Sequence, residues 1–117
     1  MVRLQHGTTK KRAEAILANG PDPKFVEPGG SIHDPAGGFS TARPEGPFPF
    51  GSPQEYATGK AQLFPEEGGP AIVELEAPDE IVALALQGVG DIRFIPRYGL
   101  EELLVAWSSF TKRIITP

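Results

Sequence analysis

Proline and glycine are spread so unevenly along this chain that they limit where a core can form. Most of the 13 prolines and 14 glycines crowd residues 20–53 and again 65–70. Proline fixes φ and removes a backbone donor, so at this density both stretches read as shaped loops. The regular elements must come from the rest of the 117 residues, enough for one domain over 1–117 with no room for a second core. Long loops on a small core carry function where they flank a site. Residues 21–37 are therefore expected to cover one side of a ligand cleft.

Between the loops, Val2, Leu4 and the approach to His6 predict a short strand. Thr8-Thr9 can cap a helix through Ala13, Ile16 and Leu17 that stops at Asn19-Gly20 before Pro21. Gly38–Ala42 predicts a second strand. Ser52-Pro53-Gln54-Glu55 carries the marks of a helix start: an N-cap serine, proline at the first helical position and a glutamate closing a capping box. That helix holds Tyr56, Ala57, Ala61 and Phe64 and ends before Pro65. Ala71–Glu76 alternates, with Glu74 and Glu76 expected on the outward face. Residues 79–86 fit either a short helix or a strand. Ile92–Ile95, the apolar run Leu103–Trp107 and Phe110–Thr116 are expected as strands. The late strands lie too close together for helical crossovers, so the class is α+β with antiparallel pairing.

Composition removes several chemistries. There is no cysteine, hence no disulfide, thiol nucleophile or thiolate metal site, and with only two histidines the composition argues against a metal centre. A net charge of -4 argues against broad nucleic-acid affinity. No apolar stretch reaches the roughly 20 residues of a membrane span. The N-terminus lacks the apolar region of a signal peptide, so a cytoplasmic location and no membrane partner are expected.

Three segments combine chemistry with placement. His6-Gly7-Thr8 lies where a strand passes into a helix, with a glycine that lets a ligand approach the backbone. Gly38-Phe39-Ser40-Thr41-Ala42 precedes a loop and the helix bearing Tyr56. Glu102 opens the run Leu103–Trp107 and would stand at a strand edge. His33-Asp34 could form a dyad, but in a Gly/Pro loop it reads as solvated. Lys10, Lys11 and Arg12 crowd the first turn of the first helix, where the dipole disfavours positive charge.

In this order the segments resemble the ADP-ribosyltransferase superfamily, in the branch related to poly(ADP-ribose) polymerases. His6-Gly7-Thr8 is similar to its His-Gly-Thr/Ser motif, Gly38–Ala42 to its Gly-Ile-Tyr-Phe-Ala strand, and Glu102-Leu103-Leu104-Val105 to its Glu-Tyr-Ile-Val strand. Ser40 stands where that branch has tyrosine, and Pro53 where a serine commonly contacts the carboxamide. The resemblance implies two packed, mainly antiparallel sheets with two helices, and a NAD-dependent transferase of a toxin-like bacterial kind. It implies NAD as substrate, bound by His6, Gly7, Thr8, Ser40 and Tyr56. His6 would contact a ribose hydroxyl, and the Gly7 backbone would pair with the carboxamide. Tyr56 would stack on the nicotinamide ring. His6 and Glu102 form the implied catalytic pair, Glu102 supporting the oxocarbenium-like transition state. The acceptor could be protein, nucleic acid or a small molecule. Ser40 favours a rival reading, a member of the fold that binds NAD, a nucleotide or a protein partner without turnover. An NAD-using enzyme that removes a phosphate from RNA is a third, weakened by the acidic balance.

Overall fold

A computed structural model describes residues 1–22 and 38–117. The first strand, β1 (Val2–Thr9), leads directly into α1 (Lys10–Asn19), capped by Thr9, whose hydroxyl accepts from the Arg12 N–H. The Thr9 hydroxyl also donates to Glu67, and the Arg12 guanidinium lies 2.8 Å from the same carboxylate oxygen. These contacts, Thr9 foremost, hold the Glu67 carboxyl below its ordinary pKa. Gly20 closes α1 at φ 79, a left-handed value that suits glycine, and its N–H donates to Ile16 O.

Next come β2 (Phe39–Ala42) and α2 (Pro53–Leu63), which begins with the full Ser52/Glu55 capping box. A short 3-10 turn (Pro65–Glu67) leads to β3 (Pro70–Ala77), α3 (Asp79–Val82), β4 (Leu86–Gln87) and β5 (Asp91–Phe94). The chain ends with α4 (Leu100–Ala106), a second 3-10 turn (Trp107–Ser109) and β6 (Thr111–Ile115).

Among the described residues the expected two sheets are one. Six strands run in the order β4-β5-β2-β1-β3-β6, and every strand pairing is antiparallel. Two helices are likewise too few, because the described residues form four. The extra pair is α3, from the ambiguous segment, and α4, expected as a strand. Leu100, Leu103, Leu104 and Trp107 recur at the three- and four-residue spacing of one helix face. Glu101 and Glu102 suit its first turn, where negative charge meets the helix dipole.

Strand alternation assigns the helices to faces. Leu4 and Leu75 lie on the face buried by Leu100, Leu103 and Trp107, while Ala71 and Val73 on the same face pack on Ala13 of α1. Trp107 Nε1 donates to Leu17 O at 3.1 Å and ties the end of α4 to α1. The opposite face carries Gln5, Gly7 and Glu74, and α2 lies on it. Glu74, expected to point into solvent, is 7% exposed, because Gln5 Nε2 and Arg113 Nε both donate to its carboxylate. Among the described residues no helix is long and apolar enough to cross a membrane.

The contact of α2 with β1 depends on Gly7. A methyl group there would run into the Pro53 carbonyl and the Ala57 N–H, whereas a methyl at Gly59, inside the same helix, would meet nothing within 4 Å. Urea unfolding should therefore separate the two. Gly7→Ala should cost about 1–3 kcal/mol through overpacking against rigid backbone. Gly59→Ala should stabilise by about 0.5–1 kcal/mol through helix propensity. Equal effects at the two positions would contradict this packing.

Candidate functional site

The first feature of the site is a gap in the sheet. β1 pairs with β3 over its whole length, Val2↔Ala77 through Thr9↔Pro70. With β2 it pairs at one position, Gln5↔Ala42. Beyond Gln5 the two strands part, and His6 fills the space.

The His6 ring lies 4.5 Å from that of Phe39, which in turn meets Trp107 edge-on. Its Nδ1 is 2.6 Å from Ser40 O. A carbonyl can only accept, so Nδ1 carries the proton and donates. Burial, and secondarily the positive charge of Lys60, lower the His6 pKa to about 3, against the opposing effect of the Ser40 bond. The ring is therefore neutral at physiological pH, and Nε2 is left with a lone pair. Half-buried His6 thus offers an acceptor where the strands part.

Gly7 follows on the opposite face, pressed against the first turns of α2. Its carbonyl accepts from Lys60 Nζ at 3.0 Å. Tyr56 lies one helical turn before Lys60 and shares its side of α2. It is 50% exposed, with its hydroxyl 3.5 Å from Phe50 O, so it is not a core residue. Thr8 is fully enclosed on the His6 face.

The parting thus gathers His6, Gly7, the Ser40 carbonyl and Lys60. The Ser40 side chain is exposed and, by strand alternation, stands on the α2 face, away from the His6 ring. Glu102 is not brought to this group. It is exposed in the first turn of α4, roughly 200° round the helix from Leu100, which faces the sheet. His33 and Asp34 lie outside the described residues, as does nearly all of the expected covering loop. Lys60 is the residue that sequence reasoning missed, and its spacing from Tyr56 was the one available signal. Among the described residues no three acidic or histidine side chains gather to hold a metal ion. A shallow depression on the outer side of α2, with Ser52, Glu55, Thr58 and Gln62 in its wall, is separate from the parting.

Comparison of the chain with family models, curated proteins and solved structures finds no match.

The His6 environment has a consequence for stability. The unfolded chain protonates His6 near pH 6.5, while the folded chain resists protonation down to about 3. The unfolded state then binds more protons between these values, so this contribution is full above pH 6.5 and is lost as pH falls. Between pH 7 and pH 5 the protein should lose about 1–2 kcal/mol from this source. His6→Gln keeps a donor for Ser40 but does not titrate, and should remove that part of the slope. Identical pH dependence of urea unfolding in both proteins would show that His6 is not held neutral.

Proposed function

We propose that the chain is an ADP-ribosyltransferase-type domain that binds NAD at the parting of β1 and β2 and cleaves its nicotinamide–ribose bond, passing ADP-ribose to an acceptor. The observation that carries this reading is the state of His6. Its Nδ1–H is committed to Ser40 O and its ring is neutral, so Nε2 can accept from a ribose hydroxyl. Such a bond needs no proton exchange with solvent and holds over a wide pH range.

The α2 side supplies the second half of the site. Tyr56 presents an exposed aromatic face suited to a nicotinamide or adenine ring. Tyr56 lies on the sheet face opposite the His6 ring, one turn before Lys60, and a carboxamide pairing at the Gly7 backbone would share its carbonyl with Lys60.

A second reading, NAD binding without turnover, is favoured by the position of Glu102. A carboxylate stabilises an oxocarbenium-like centre only when fixed beside it, and Glu102 lies on the outer side of α4. Measuring NAD affinity together with nicotinamide release separates the readings. His6→Ala should weaken NAD binding by about tenfold, the value of one hydrogen bond with a buried partner left unmet. If Glu102 supports turnover, Glu102→Gln should lower nicotinamide release by about a hundredfold with affinity little changed. A wild type that binds NAD and releases no nicotinamide establishes the second reading. Absence of NAD binding overturns both.

A further inference from the structure

Lys60 lies on α2, outside every motif the sequence singled out, yet its ammonium bonds the backbone of β1 where β1 leaves β2. The register shows what that bond replaces. From Gln5↔Ala42, two residues forward along β1 and two back along β2 bring Gly7 opposite Ser40. Both segments remain in strand conformation, β1 to Thr9 and β2 from Phe39. Continued register would therefore set Gly7 against Ser40, a pair that the sheet does not make.

Both carbonyls of that absent rung are taken by side chains. Gly7 O accepts from Lys60 Nζ at 3.0 Å and Ser40 O from His6 Nδ1 at 2.6 Å. A rung of an antiparallel ladder needs such carbonyls for the facing N–H groups. A charge-assisted bond from an ammonium is roughly twice as strong as a neutral one, so Lys60 competes well for the oxygen. Gly7 itself makes the contact possible, since only a residue without Cβ lets α2 come this close.

We infer that Lys60 is a positioning residue: by capping the Gly7 carbonyl while His6 caps that of Ser40, it holds β1 and β2 apart and keeps the site open. The part of this inference that concerns NAD rests on the function proposed above; the part that concerns the strands does not.

Residue-resolved amide exchange on the full chain, with NAD binding measured in parallel, tests both. Lys60→Met keeps the length and apolar stem but loses the donor, and Lys60→Arg keeps a charged donor. With Lys60→Met the rung should close, and exchange at Gly7 and Ser40 should slow by about tenfold or more. NAD binding should weaken by about tenfold as the parting shuts. Lys60→Arg should stay near wild type in both. Faster or unchanged exchange at Gly7 and Ser40, with β1–β3 protection intact, overturns the inference and leaves Lys60 as a group that merely satisfies a carbonyl. A closed rung with unchanged NAD affinity keeps the spacer role and sinks the placement of NAD at the parting. Should Lys60→Met fail to fold, Lys60→Gln, too short to span the contact, is read by the same outcomes.

Discussion

Because Gly7 has no side chain, α2 can lie with its first turns directly on the backbone of β1, and much of the molecule follows from that approach. The Ser52/Glu55 box fixes where α2 starts, so the Pro53 carbonyl and the Ala57 N–H meet Gly7 in one register. That register carries Lys60 to the Gly7 carbonyl and leaves Tyr56 one turn earlier on the same side. With α2 occupying one face, the larger apolar set must be covered from the other. There α1 and α4 divide the work, joined by the Trp107–Leu17 bond.

The sheet is two three-stranded halves meeting at a single register pair. One half is β1, β3 and β6, the other β2, β4 and β5. Side chains knit the halves beyond Gln5↔Ala42. On the core face His6, Phe39 and Trp107 form an unbroken series of ring contacts. His6 belongs to both halves, since it is carried by β1 and hydrogen-bonded to β2. A residue in that position stabilises the fold and shapes the parting together. The two roles cannot be separated by alanine substitution alone, and the titration of the ring offers a cleaner handle.

Local chemistry was the legible part of this sequence. The caps at Thr9, Gly20 and Ser52 are decided by a few adjacent residues, and each stands where the sequence puts it. The run Leu103–Trp107 misled because a short continuous apolar stretch suits a buried strand as well as a helix. Including Leu100 in the window exposes the helical period. Glu74 reads as outward in the sequence because alternation tells which residues share a face, not what covers that face. Gln5 comes from 69 residues away to meet its carboxylate. The number of sheets was hidden for the same reason, since strand neighbours such as β2 and β5 are distant in sequence. Lys60 had no signature of its own beyond its spacing from Tyr56.

The electrostatic character of the parting limits the chemistry it suits. A histidine that stays neutral to about pH 3 is a poor general acid or base near neutrality, because it neither holds a proton to give nor keeps one taken. It is well suited to holding a hydroxyl in one orientation. A reaction with little proton transfer, in which a bond to a good leaving group stretches and positive charge grows on a sugar carbon, fits such a site better than acid–base hydrolysis. That growing charge would need a carboxylate beside it, and the positive charge of Lys60, which already disfavours a charged His6, would oppose it. On the proposed reading, turnover would need an acidic group to reach the parting on the side away from Lys60. In the described arrangement Glu102 does not do so, since the same helical period that buries Leu100 and Leu103 turns it outward. On the proposed reading binding asks less of the structure than turnover, since it would draw only on the His6 acceptor and the exposed ring of Tyr56.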